Sequence, residues 1–345
     1  MIPPAVRRNE YVFTSTLDGA AAGGELDSRT EVQLQRAFEK LPAALASAGA
    51  MLDEVVQVGV YLAEWQAAPL IDGPWRALFG DDGDAPARRI TQMFMPPGHR
   101  AQIQATAAAG KRLFVTPSVD GRDADGTLPA DAGDEIDRAL GKVCDLVAAA
   151  GGTTGDLLHF WAFAADGVVA GDFTPSWLRR FPNAGDRPAR KTFLRAPLRG
   201  DERITLQATA LIGAGRRSNH EVPGVRHRDP LPMGARLGNL FMSSGILANA
   251  SDPNDPEGLG PLGETLADQL RNAFGTLERL LTDQGGSLRN VAHLGALVNQ
   301  YDYVPALHQA MAERFATADM PALQLWSLPM ASPQQMIQLF ATAVF

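Results

Sequence analysis

The sequence has one cysteine, no long hydrophobic run and no surplus of basic charge. Cys144, alone among 345 residues, excludes a disulfide within the chain and any multi-thiolate zinc or iron–sulfur site. No apolar run approaches the roughly 18 residues that a membrane helix needs. The first residues also lack the basic start and apolar stretch of an export signal. We therefore expect a soluble protein of the reducing cytoplasm, with neither export nor membrane spanning.

Basic residues are too few to suggest a nucleic-acid partner. Lys and Arg total 31 against 39 Asp and Glu, which gives a net charge of −8. No basic stripe is long enough to follow a phosphate backbone. Hydrophobic residues make up 45% and charged residues 20% of the chain, a globular composition. At about 150 residues per domain, the length predicts two or three domains.

The chain contains three copies of one unit. Each copy has a long helix, predicted from apolar residues at i, i+3, i+4, i+7 and i+11. These residues are Leu34, Ala37, Phe38, Leu41 and Leu45, then Ile136, Ala139, Leu140, Val143 and Val147, then Leu270, Ala273, Phe274, Leu277 and Leu281. A shorter amphipathic helix follows in each copy, at Trp75 and Phe79, Trp177 and Phe181, and Met311 and Phe315. β-like runs precede, separate and follow the two helices, so the predicted unit is strands, helix, strand, helix, strands.

The copies set the domain boundaries. We place the repeats at residues 1–109, 110–222 and 223–345. A period of about 100 residues is domain-sized, which excludes a solenoid of short stacked units. Fused copies of this kind commonly pack around a pseudo-threefold axis, by the closure that produces cyclic trimers. Clefts between copies are then the natural ligand sites.

The residues resemble the RidA/YjgF family, also called the L-PSP family. The resemblance is carried by residues 237–246 (LGNLFMSSGI), by residues 285–291 (GGSLRNV) and by the Pro-Ala-Arg segments that end at Arg88 and Arg190. It implies an α+β fold of the chorismate mutase-like type, with three tandem units that are each a mixed sheet backed by two helices. The three sheets would form a pseudo-trimeric central barrel with the helices outside. One polypeptide would supply the trimer, as a monomer or a small homo-oligomer.

The resemblance also implies an activity. Family members hydrolyse reactive enamines and imines derived from amino acids, and the Arg of the Pro-Ala-Arg segment binds the substrate carboxylate. Arg88 and Arg190 would have this catalytic role here, whereas the third copy carries Leu323. Arginine suits the role because its planar fork of donors matches a carboxylate two bonds at a time. Proton delivery and attack by water require no metal and no cofactor, so we expect neither.

Further candidates for substrate binding come from matching positions in the copies. They are Ser15, Thr16, Asp72, Gln102, Ser118, Thr205, Ser244, Gly245, Trp326 and Gln338. The family commonly has a Glu on the last strand, where this chain has Gln102, Thr205 and Gln338, and none of these can act as a general base. The Ser-Gly turn survives only at Ser244, which predicts a composite site with Arg from one copy and Ser-Gly from another.

The remaining candidates have plainer interpretations. Asp72 could line a cleft or act as an N-terminal carboxylate on its helix, and Trp326 could close the altered third cleft. The histidines lack metal-binding spacing. His220 and His227 lie among arginines in the second junction, which predicts a solvated connector.

Three functions remain open from the sequence. The first is a hydrolase or deaminase of a small carboxylate-bearing imine, enamine or related C–N compound. The second is a non-catalytic small-molecule binder or regulator, favoured by the missing carboxylates. The third is a specialised hydrolase or isomerase of a cyclic metabolite. The acidic charge argues against RNA cleavage.

Overall fold

The computed structural model describes residues 1–345 apart from residues 81, 82, 84, 111, 228, 253 and 331. The first sheet has the order β1-β2-β6-β4-β5, and β3 pairs with β6. The elements of the first copy are β1 (Ala5–Arg8), β2 (Tyr11–Thr14), β3 (Leu17–Asp18), α1 (Thr30–Ser47), β4 (Val55–Leu62), α2 (Asp72–Phe79), β5 (Ala87–Gln92) and β6 (Ala101–Ala108).

The second sheet has the order β7-β10-β8-β9. The elements of this copy are β7 (Leu113–Val115), α3 (Ala132–Ala149), β8 (Leu157–Ala164), α4 (Phe173–Arg180), β9 (Ala189–Phe193) and β10 (Ile204–Leu211).

The third sheet has the order β11-β12-β13-β16-β14-β15. Its copy contains β11 (Ser218–His220), β12 (Gly234–Leu237), β13 (Leu240–Ser243), α5 (Leu266–Thr282), β14 (Val291–Val298), α6 (Val304–Arg314), β15 (Ala322–Trp326) and β16 (Ile337–Val344). Because β11 pairs with β12, this sheet begins ahead of residue 223.

The three sheets share one pairing scheme. In each, the strand after the long helix pairs in parallel with the strand after the short helix, and antiparallel with the last strand of the copy. A parallel pair requires a crossover connection, which the short helix provides. The repeated order of elements and the mixed α+β class therefore agree with the prediction from the sequence.

One buried side chain near the start of each long helix ties it to the last strand of its copy. Gln33, Glu135 and Gln269 each accept a hydrogen bond from the backbone N–H of the residue just before that strand, at 2.8, 2.7 and 2.8 Å. Glu135 also pairs with Arg203 Nε at 2.7 Å. Since burial of an unpaired polar group is costly, this shared contact fixes helix and strand in the same relation three times.

Each sheet has a helix-covered face and a face that contributes to a core shared by all copies. Three apolar clusters lie mainly under the helices of the separate copies, and a fourth draws on all three sheets. Along β8 the side chains alternate, so that Phe160 belongs to the cluster of its own copy and Trp161 to the shared cluster. The predicted closed barrel is not confirmed, because none of the three sheets is closed in the described part of the chain.

The six helices lie within the described ranges, and none of them is both long and apolar enough to cross a membrane.

Candidate active site

The first predicted anchor, Arg88, lies on β5 and is already paired. Its side chain is 36% exposed, and Nη1 donates to Asp72 Oδ1 at 2.8 Å. The guanidinium also lies 5.1 Å from the ring of Trp75. Asp72 is therefore the ion-pair partner of Arg88 as well as the first residue of α2.

The second predicted anchor, Arg190, lies on β9 and is buried, with 1% of its side chain exposed. The guanidinium packs 4.5 Å from the ring of Phe173 and 4.8 Å from that of Trp177. Nε donates to Thr192 Oγ1 at 3.1 Å, and Nη2 lies 3.4 Å from Asp229 Oδ2. Nη1 is buried and has no hydrogen-bond partner among the described residues. Burial lowers the pKa of Arg190 to about 10, opposed by Asp229, so the group stays charged at neutral pH.

Arg190 lines a cavity of about 140 Å³ between the second and third copies. The polar residues and the glycine that line it are Arg190, Lys191, Thr192, His227, Asp229, Gly245, Gln335 and Gln338. Gly245 allows a close approach, because a Cβ there would lie 2.4 Å from Gln338 Nε2. A larger cavity of about 790 Å³ adjoins this cleft, and Pro329 lines both.

Ser244 of the third copy fixes the backbone of Arg190. Its Oγ accepts a hydrogen bond from the Arg190 N–H at 3.0 Å and donates to the Pro232 carbonyl at 2.7 Å. The structure thus brings together Arg190 from one copy and Ser244 and Gly245 from the next.

Lys191, the next residue on β9, is a cation that the sequence analysis missed. It is buried, and its Nζ donates to Gln338 Oε1 and, at 3.2 Å, to the Thr192 carbonyl. The ammonium lies 4.5 Å from the ring of Phe193. Burial lowers the pKa of Lys191 to about 7. Its position next to the predicted anchor Arg190 could have indicated this role. Arg190 and Lys191 lie side by side on an edge strand, and both can reach an adjoining cleft.

The solvated connector predicted around His227 is wrong for this residue. His227 and Asp229 line the cleft, and His227 Nε2 is buried with no partner within the described ranges. Burial, and then the charges of Lys191 and Arg190, lower the pKa of His227 to about 4. Its imidazole is therefore neutral at pH 7, and the junction forms a wall of the cleft.

The junction between the third and first copies repeats the backbone contact without the charge. Ser15 Oγ accepts from the Leu323 N–H at 3.0 Å, and the Thr16 N–H donates to the Leu323 carbonyl at 3.0 Å. Leu323 is buried. This junction therefore has no carboxylate anchor at the position of Arg190.

The other predicted residues lie apart from the Arg190 cleft, except Gln338. Gln102 is buried on β6, Thr205 is partly buried on β10, and Ser118 is exposed. Closure of the third cleft was one possible role of Trp326. Trp326 is instead fully buried in the shared core, with its ring 4.9 Å from that of Tyr61.

Residues 3–109 match the family model described as Endoribonuclease L-PSP. The predicted resemblance to the RidA/YjgF family is therefore confirmed, with the family-model match falling in the first copy. A chorismatase crystal structure is similar in fold, with a TM-score of 0.58 at 15% identity, over 85% of this chain and 93% of that chain.

Single-unit structures are similar over about one copy. RidA from the Antarctic bacterium Psychrobacter sp. is 24% identical over 31% of this chain and 86% of its own, with a TM-score of 0.29. The YjgF gene product of E. coli is 19% identical over 31% of this chain and 87% of its own, also with a TM-score of 0.29. None of the curated proteins matches the chain.

Proposed function

We propose that the protein is a hydrolase of a small carboxylate-bearing metabolite and that it works in the cleft around Arg190. One observation carries the proposal. Arg190 is a buried cation with an unpartnered Nη1 among the described residues, and it shares a cavity of about 140 Å³ with Lys191. A carboxylate would occupy the free Nη1 and add a charge-assisted hydrogen bond.

Lys191 supplies the proton transfer in this site. The last strands of the copies have no carboxylate that could do so. A group with a pKa of about 7 is present in both protonation states at neutral pH, which is the condition that favours general acid–base catalysis. Gln338 accepts a hydrogen bond from Nζ and so orients it. Arg190 holds the carboxylate beside it, and this placement contributes through proximity.

The balanced reaction for a 2-imino acid needs water alone. The Lys191 ammonium gives a proton to the imine nitrogen, and water adds to the C=N carbon and returns a proton to the lysine. The resulting carbinolamine breaks its C–N bond as C=O forms. One water is consumed, and a 2-oxo acid and ammonia are released.

A cyclic carboxylate is the second substrate class. Its support is the similarity in fold to a chorismatase, which acts on chorismate, over 85% of this chain. The adjoining cavity of about 790 Å³ offers room beyond the Arg190 cleft for a larger substrate. A non-catalytic binder is the third candidate, favoured by the neutral residues Gln102, Thr205 and Gln338.

The test compares substrates and two matched variants. Ammonia and 2-oxo acid are measured with freshly generated 2-aminoacrylate and with larger 2-imino acids, and consumption is measured with chorismate. We expect turnover by the wild type, loss in Arg190→Ala and retention in Arg88→Ala. Activity that survives Arg190→Ala would reject this cleft. Binding of these compounds without any turnover would favour the non-catalytic function.

A further inference from the structure

A second polar cavity lies where the three sheets meet, and it shares no lining residue with the Arg190 cleft. Its volume is about 40 Å³. The polar residues around it come from all three copies and are Gln57, Arg89, Gln104, Thr106, Gln207, Thr209, His293, Gln324 and Thr342. No carboxylate is among the lining residues.

Arg89 places an uncompensated positive charge at this cavity. It is 3% exposed. Nη1 donates to Gln207 Oε1 and Nη2 to Tyr61 Oη, both at 2.8 Å, and both acceptors are neutral. Nε is buried without a partner in the described part of the chain, where no ion pair of Arg89 occurs either. A buried charge without a counter-charge is costly.

The aromatic residues around Arg89 compensate only part of this cost. The guanidinium lies 5.1 Å from the ring of Trp161 and 5.2 Å from that of Trp326, within the range of cation–π attraction. Such contacts stabilise the faces of the guanidinium. The N–H groups at the edge of the guanidinium still need hydrogen-bond acceptors, and Nε has none among the described residues.

Two further nitrogens of the same cavity are unpartnered. Gln57 Nε2 is an amide donor, and His293 Nε2 is a donor in the tautomer that carries its proton there. Both nitrogens are buried without hydrogen bonds to described residues. Burial and the charge of Arg89 lower the pKa of His293 to about 4, so the imidazole is neutral at pH 7 and adds no second cation. Buried donors in proteins are nearly always satisfied. Three unsatisfied nitrogens around one cation therefore indicate a missing acceptor with negative charge.

We propose that the central cavity binds a small inorganic anion of halide size, held by Arg89, Gln57 and His293, where it neutralises the arginine at the junction of the three sheets. The volume of about 40 Å³ suits this class of ligand. A single water needs only about 10–15 Å³ of such space. The site is structural and independent of the hydrolase proposed above.

Crystals grown or soaked in bromide test the site directly. We expect an anomalous peak in the cavity beside Arg89. In solution, replacement of sodium gluconate by sodium chloride at equal ionic strength should raise the Tm by about 2 °C or more, since a ligand that binds only the native state stabilises it.

Two variants separate a bound anion from a general salt effect. Gln57→Glu places a carboxylate in the cavity that Arg89 lines, and it should abolish both the bromide peak and the dependence of Tm on chloride. Arg216→Gln, at an exposed position, should leave both unchanged. If Gln57→Glu does not fold, the bromide experiment on wild-type crystals still tests whether the cavity binds an anion. A cavity without an anomalous peak, together with a Tm that is the same in gluconate and chloride, would overturn the proposal.

Discussion

The backbone N–H of Arg190 donates to the hydroxyl of Ser244 at 3.0 Å, so the side chain of one copy fixes the anchor residue of another. The same bond joins Leu323 to Ser15 at 3.0 Å in the junction between the third and first copies. The two junctions therefore differ in the charge of the anchor position and agree in the backbone contact. This pair provides an internal control for the proposed site.

Ser244→Ala should lower both stability and ligand affinity. The substitution leaves the Arg190 N–H and the Pro232 carbonyl without partners, and an unsatisfied buried group costs about 1–3 kcal/mol. Urea unfolding measures the first effect, and calorimetric titration with pyruvate as a 2-oxo acid measures the second. Ser15→Ala, the matched control, should lose similar stability and keep its affinity. Equal losses of affinity in both variants would contradict the cleft assignment.

Arg190→Lys should weaken carboxylate binding because a point charge cannot reproduce the guanidinium fork. A lost hydrogen bond to a charged group is worth about 1.5–3 kcal/mol, which corresponds to a tenfold or larger rise in Kd. Titration with pyruvate measures it. The control is Arg88→Lys, where the side chain is 36% exposed and paired with Asp72. If Arg88→Lys loses affinity while Arg190→Lys keeps it, the anchor lies in the other cleft.

Asp229→Asn should increase the rise in Tm that a bound carboxylate ligand produces. Asp229 Oδ2 lies 3.4 Å from Arg190 Nη2 and is the carboxylate that a substrate would displace or join. Its removal leaves a buried cation less compensated, so the unliganded variant should unfold at a lower temperature than the wild type. Saturating pyruvate should then raise the Tm by more in the variant than in the wild type. An equal or smaller rise would show that Asp229 does not compete for the same site.

Lys191 should make the protein more stable as the pH rises from about 7 to 10. Its pKa is about 7 in the fold and near 10.5 in the unfolded chain, so the unfolded state binds more protons between these values. The free-energy cost of burying the Lys191 ammonium is complete below pH 7, and it disappears above the pKa that Lys191 has in the unfolded chain. One such group contributes a slope of roughly 1 kcal/mol per pH unit across this interval.

Urea unfolding of Lys191→Met at several pH values should show that this slope is lost. Lys142→Met, at a partly exposed lysine paired with Asp120, should keep it. If the ammonium is the acid of the reaction, the kcat/KM of the wild type should also fall as the pH rises above 7. A wild-type slope that persists in Lys191→Met would assign it to another group.

The local periodicity of the sequence predicts most of the fold and one part of the site. The apolar stripe from Leu34 and the pair Trp177 and Phe181 predict helices because each pattern depends only on neighbouring residues. The tripeptide Pro-Ala-Arg predicts the role of Arg190. The positions of His227 and Asp229 depend on how the third copy docks on the second, which periodicity does not encode.

Lys191 and Arg89 were missed for a related reason. Each directly follows a Pro-Ala-Arg segment on an edge strand. In a strand with alternating side chains, a Lys or Arg at this position is typical of an exposed residue. Only the packing of a second copy against that strand buries it. The shared core that buries Arg89 is likewise a property of three sheets together.

Leu323→Arg tests whether the third cleft can be restored. Leu323 belongs to the same apolar cluster as Leu307 and Met311, which take the places of the rings beside Arg190. A charge buried there without a partner should lower the free energy of unfolding by about 3 kcal/mol or more. Leu323→Met, which conserves volume, should cost less than about 1.5 kcal/mol. Since aliphatic side chains already fill the space, pyruvate titration of Leu323→Arg should show the wild-type stoichiometry, and one additional equivalent bound would show that the cleft is open.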